Sequence, residues 1–181
     1  MTDSDKATAQ TLVDSLIQPG DLILTQTPSP LFGIARDFSE TKYDHLVAVI
    51  DKERCLHISY PRAKLVPTIL FVQQKKRPLI LRCRGMTSEQ RDLFIETLKH
   101  KIVGKPYDYT RVLHYILYSK MNKMPNKYYE TDEKVVCSHH LYKTLSQSFP
   151  KLGKAVQTNP MLDLNKFGTF TINDFLKTSV F

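Results

Sequence analysis

The chain has 181 residues, 41% of them hydrophobic, enough apolar material for one domain with its own core, which excludes an intrinsically disordered chain. A formal charge of +8 and a pI near 9.3 fit either a solvated basic surface or attraction to an anionic partner such as a membrane face or nucleic acid, and no run approaches the ~18 consecutive apolar residues of a membrane span. Three cysteines (Cys55, Cys83 and Cys137), odd in number and without a CxxC pair, argue against a disulfide framework. They fit a reducing, cytoplasmic compartment, as does the polar start MTDSDKATAQ, which lacks the apolar core of a secretory signal.

In chain order, the first predicted element is an amphipathic helix over 5–17, capped at Asp3 or Ser4, with Leu12, Val13, Leu16 and Ile17 on one face. Pro19-Gly20 ends it, and DLILT (21–25) reads as a strand. The long connection TPSPLFGIARDFSETKYD carries a helical turn around Leu31 to Phe38. HLVAVI (45–50) and CLHIS (55–59) flank the polar turn DKER and predict a hairpin. KLVPTILFVQQ (64–74) reads as a short helix or an irregular packed segment, and PLILRCRG (78–85) as a further strand. Thr87 and Gln90 make a capping box, followed by Leu93, Phe94, Ile95, Leu98 and Ile102 at helical spacing as far as Gly104. A loop with an aromatic-rich helical piece, RVLHYILYSKMNKM (111–124), leads to a helix from Cys137 to about Ser148, broken by Pro150 and Gly153. A strand near 167–172 and a last helical turn close the chain. The pattern predicts a single α+β domain over 1–181. Its mostly antiparallel sheet takes the runs 21–25, 45–50, 55–59, 78–85 and 167–172, with the Cys137 helix across it and the 88–103 helix outside.

The chemistry-bearing residues gather around Cys137. It shares a helix face with Leu141, Leu145 and Phe149, the pattern of an inert core thiol. It also opens a helix, where unpaired N–H groups and the dipole favour thiolate and predict a lowered pKa. A nucleophile needs a base with an orienting partner. His139 and His140 lie on the same helix and point beside or away from the thiol, His139 toward solvent. His45 and His57, twelve residues apart on the two hairpin strands, are better placed. Asp44 should point away from His45 by strand alternation and reads as a surface carboxylate. Cys137, His139 and His140 cannot converge on one ion, because consecutive helical side chains diverge by ~100°. The basic runs Lys75-Lys76-Arg77 and Lys99-His100-Lys101 come without any nucleic-acid-binding signature and read as a solvated face.

The order GDLIL, YDHLVAVI, LHIS, LILRCR, VGKPYDY and VVCSHHLY resembles the circularly permuted papain-like hydrolases of the NlpC superfamily, in particular the YiiX-like branch, over residues 19 to 176. The resemblance implies a permuted papain-like fold, with 1–18 as an added N-terminal helix. It implies Cys137 as nucleophile, His45 as general base and His57 as the residue that orients the imidazole. Tyr107, in GKPYD, matches a position near the family's cleft and is read equally as a substrate contact or a packing tyrosine. Where this chain has His57 the YiiX-like proteins often carry an acidic residue. A Cys-His-His set looks more like the lecithin:retinol acyltransferase relatives, which move or remove lipid acyl groups. The implied activity is therefore a cysteine hydrolase, peptidase- or amidase-like, working through a thioester, with lipid- or protein-acyl hydrolysis or transfer at a membrane surface as the alternative. The implied substrate is a peptide, amide or acylated molecule. An anionic membrane surface is a candidate partner, and no metal or organic cofactor is called for.

Overall fold

The computed structural model describes residues 3–27, 33, 36, 41–74, 78–113, 133–157, 172–178, 180 and 181. Its elements in chain order are α1 (Asp3–Leu16), β1 (Leu22–Thr25), β2 (His45–Val49), β3 (Arg54–His57), β4 (Lys64–Pro67), α2 (Thr68–Gln74), β5 (Leu79–Leu81), α3 (Ser88–Lys101), α4 (Cys137–Ser148), α5 (Pro150–Gln157) and α6 (Ile172–Lys177). Among the described residues the strands form one antiparallel five-stranded sheet in the order β4-β3-β2-β1-β5. The fold class is α+β.

LILT and HLVAV are apolar without alternation because both faces of the sheet are covered. On one face Leu22, Leu24, Leu46, Ala48 and Leu56 pack with Cys137, Leu141 and Leu145 of α4 and with Phe94, Ile95 and Leu98 of α3. On the other, Ile23, Val47, Val49 and Cys55 pack with Val13 and Ile17 of α1 and Phe71 of α2. The helix that opens with Cys137 thus lies across the centre of the sheet, and α3 packs against it. Each fully buried leucine or phenylalanine in these layers contributes about 2 kcal/mol of transfer free energy.

Several boundaries differ from expectation. KLVP forms β4, the sheet edge beyond β3, and only then does the chain enter α2; Val66, Ile69, Phe71 and Val72 cover the second face. Residues 167–171, predicted as a strand, lie outside the described residues, and Ile172 opens α6. Strand β5 is shorter than predicted. Arg82 leaves the ladder to bond Asp21, and the Arg84 N–H donates to the Val180 carbonyl at 2.7 Å. Pro150 does not end helical structure. The break falls at Phe149, and Pro150 takes the first position of α5, where its missing N–H costs nothing. Leu16 and Leu93 face solvent instead of the core. Of the predicted turn at 31–38 only Gly33 and Arg36 are described, both helical; 114–124 lie outside the described residues, while 109–113 are helical. No helix of the described residues is long and apolar enough to cross a membrane.

Two junctions lock the layers together. Thr87 and Gln90 close the capping box of α3 reciprocally, as the sequence predicts. Asp21, in GDLIL, is buried and accepts from Arg82 through both carboxylate oxygens at 2.8 and 2.7 Å, and from the Gln18 N–H at 2.8 Å. Arg82 also donates to the Leu16 carbonyl, tying α1, β1 and the end of β5 into one knot. Gly20 holds φ +87° at this knot, which side chains other than glycine's rarely adopt.

Candidate functional site

The position of the Cys137 sulfur follows from where β3 stops. The Ile50 N–H donates to the Arg54 carbonyl across the β2–β3 pair at 2.9 Å. Alternate residues of a strand present their N–H groups to the same side, so those of Ala48 and Leu46 also face β3. Pairing ends at Val47 opposite His57, which leaves the Leu46 N–H beyond the end of β3. That N–H is among the groups that favour the Cys137 thiolate, so the sulfur approaches the sheet at the end of β3, while Cys137 itself packs in the core on the α3/α4 face.

The two histidines project toward the α1/α2 layer. His45 shares the face of Val47 and Val49, and its ring meets that of His57 edge to face, centroids 4.8 Å apart and planes at 78°. Phe71 of α2 packs against both rings, at 6.0 Å from His45 and 4.8 Å from His57. The Ser59 hydroxyl lies 3.4 Å from His57 Nδ1. The hairpin thus brings His45 and His57 together on the α1/α2 face of the sheet, while Cys137 belongs to the core on the other face.

On the helix side, α4 starts without a side-chain cap from Val136. Its first-turn N–H groups are turned instead onto the sulfur: those of Cys137 and Ser138 join that of Leu46 in favouring the thiolate. Burial outweighs them. The thiol is 6% exposed, and desolvation pushes its pKa up to about 11 despite the three donors. The lowered pKa expected of a helix-start cysteine is corrected: the resting group is a neutral thiol. Burial pushes Cys55 to about 12 despite the Thr68 side chain and its own N–H, and pushes Cys83, which has no such groups, to about 12 as well.

His139 is buried, not solvent-facing. Its ring meets that of His140 at 5.2 Å, edge to face. His140 Nδ1 accepts the Val136 N–H at 3.1 Å, so this imidazole does the capping that Val136 cannot. Asp44 does point away from His45, but it is no surface carboxylate. Its side chain is 0% exposed, both oxygens accept from the Thr27 N–H at 3.0 Å, and it forms an ion pair with Arg36. Tyr107 sits in a strip that pairs with its neighbours on both sides. Its N–H donates to the Pro61 carbonyl at 3.0 Å, and the flanking Asp108 N–H and Pro106 carbonyl bond Val135 at 2.9 Å each. Burial, then the proximity of Cys137, raise the Tyr107 phenol well above its ordinary range.

Ser59 shares the face of His57 by strand alternation, as the sequence indicates, but two participants escaped the sequence reading. Phe71 lies in a run whose strand-to-helix change was not legible. Arg36 had no readable signal, since it reaches Asp44 through a long connection.

A scan against protein-family models matches none, and a search of curated proteins finds no significant match.

Proposed function

We propose that the protein is a cysteine-dependent hydrolase of an amide or related acyl bond, with a permuted papain-like arrangement in which Cys137 is the nucleophile, His45 the general base and His57 the residue that orients it. The observation that carries this reading is the setting of the sulfur: Cys137 opens α4, the main-chain N–H groups of Leu46, Ser138 and Cys137 favour its thiolate, and Leu46 directly follows His45, whose ring meets that of His57.

Because the resting thiol is neutral, proton removal accompanies attack. Sulfur bonds to the carbonyl carbon as its proton passes to His45. The carbonyl oxygen gains the negative charge, and the main-chain N–H groups at the start of α4, no longer needed by an anionic sulfur, are the donors nearest to it. Collapse breaks the bond to the leaving amine or alcohol, which takes the proton from His45 and leaves a thioester on Cys137. His45 then draws a proton from water, which attacks the thioester, and the sulfur departs and is reprotonated. His57, held by Ser59 and Phe71, fixes the His45 ring.

A second reading, acyl hydrolysis or transfer at an anionic lipid surface, is favoured by the strip beside Tyr107. Tyr60 is 76% exposed there, next to exposed Arg62 and Lys64, and Tyr109 and Leu113 are exposed beyond it. A panel of short peptides, acyl-lysine peptides, acyl thioesters and phospholipids decides between the two. Turnover of peptides alone supports the first, turnover of lipids alone the second, and no Cys137-dependent turnover of any rejects both.

A further inference from the structure

The sheet face that carries the two imidazoles also carries a hydroxyl that the chemistry above leaves out. In LILT, Leu22 and Leu24 pack toward α3 and α4, so Ile23 and Thr25 turn to the α1/α2 side. The β1–β2 register sets Thr25 directly opposite His45, as it sets Ile23 opposite Val47. Side chains so paired project to one face, with Cβ atoms about 5 Å apart. Thr25 is 0% exposed, and its hydroxyl has no hydrogen-bond partner among the described residues. Its carbonyl is engaged, accepting the Asp44 N–H at 3.2 Å, so the side-chain oxygen is the open polar group of the residue. A buried hydroxyl without a partner carries a desolvation cost that a methyl group of the same shape avoids.

We propose that Thr25 is a positioning residue for His45: its side-chain oxygen accepts an N–H of the ring once the ring has become an imidazolium, and so holds the proton there between attack and release. A neutral imidazole donates from one nitrogen and an imidazolium from both, so proton uptake creates a donor that needs an acceptor. The Thr25 oxygen is uncharged, carries two lone pairs and stands on the neighbouring strand. Each imidazole then has a hydroxyl for neighbour, since Ser59 lies 3.4 Å from His57 Nδ1. The assignment deepens the hydrolase reading and rests on it for its part in turnover, but its effect on the titration of the ring is read without turnover. The other titratable groups on this face are His57, its ring 4.8 Å from that of His45, and Cys55 further along β3. Asp44, paired with Arg36, precedes His45, and Cys137 packs on the opposite face. From α1 the layer receives Val13 and Ile17, and from α2 Ile69, Phe71 and Val72, none of which titrates or accepts a hydrogen bond through its side chain.

The test follows the His45 ring signals by NMR across about pH 4 to 9 in the wild type, Thr25→Val and Thr25→Ser, the His45 signals being those missing from His45→Ala. Valine keeps the shape and removes the oxygen, whereas serine keeps the oxygen. Thr25→Val should lower the titration midpoint of His45 by about one pH unit, a tenfold loss of basicity, because the charged ring loses its acceptor. Thr25→Ser should hold that midpoint near the wild-type value. A merely structural threonine would leave the His45 midpoint where it stands in Thr25→Val, and a packing role would move it alike in both variants. Either result overturns the proposal, as does a midpoint raised in Thr25→Val. If Thr25→Val fails to fold by circular dichroism, Thr25→Ala against Thr25→Ser carries the same comparison. Failure of the hydrolase reading shows separately, as turnover that survives Cys137→Ala while the Thr25→Val shift stands.

Discussion

At the residue scale the site turns on one competition, between burial and hydrogen bonding at the Cys137 sulfur. Three N–H donors favour the thiolate, yet burial leaves a thiol with a pKa of about 11, below the other two cysteines at about 12. The sign of the pH dependence follows. Labelling of Cys137 should be slow near pH 7, rise about tenfold per pH unit up to about 11, and precede Cys55 and Cys83 throughout. Peptide mapping over a pH series checks this order, and earlier reaction of Cys55 would contradict it. Cys137→Ala should lower turnover by at least about a thousandfold while leaving the fold intact, and His57→Ala should cost less than His45→Ala. That Cys137 opens a helix and that His45 and His57 are neighbours across the hairpin was legible from residue type and position. The thiol's ionisation was not, because a helix start is visible in a sequence and its depth of burial is not.

At the element scale, local patterns were readable wherever the physics is local. The capping box at Thr87 and Gln90, the hairpin around 50–54 and the start of α4 all depend on near neighbours and were found. What failed depended on distant partners. KLVP has no alternation that marks a strand; it becomes β4 because β3 offers a free edge. Pro150 reads as a stop, yet it starts a helix once Phe149 has turned the chain. Asp44 reads as exposed until Arg36 folds back over it. Replacing Thr87 by Ala should remove the reciprocal cap and destabilise the protein by about 1 kcal/mol, seen as a lower urea midpoint with unchanged slope. A shift of a few tenths or less would show that tertiary packing alone holds the start of α3. Arg82→Ala leaves the Asp21 carboxylate buried without its cation, though Arg82 itself is partly exposed, so a loss of about 2 kcal/mol is expected, recovered in part by adding Asp21→Asn.

At the scale of the whole molecule, two helical layers clamp the sheet, and the site lies where one strand ends early. The three buried thiols, whose pKa values stand at about 11 to 12 against 9.0 for a free thiol, give the fold a common pH limit. The folded state holds these protons more tightly than the unfolded chain, so their contribution is complete below about pH 9 and is lost as pH rises toward 12. The melting temperature should therefore fall steeply between those values, and less so after Cys83→Ala; a flat alkaline limb would contradict the burial described. The α+β class was readable from strand and helix periodicity, whereas the clamping of the second sheet face by α2 was not, since it required knowing that 64–74 divides between strand and helix. The central claim is that His45 and His57 activate the Cys137 sulfur, and intact mass spectrometry after brief exposure to an activated acyl ester near pH 8 tests it most directly. The account predicts one acyl adduct per chain, mapped to Cys137, formed fast in the wild type, more slowly in His57→Ala and scarcely at all in His45→Ala. Equal acylation in the wild type and His45→Ala, or an adduct spread over Cys55 and Cys83, would contradict it.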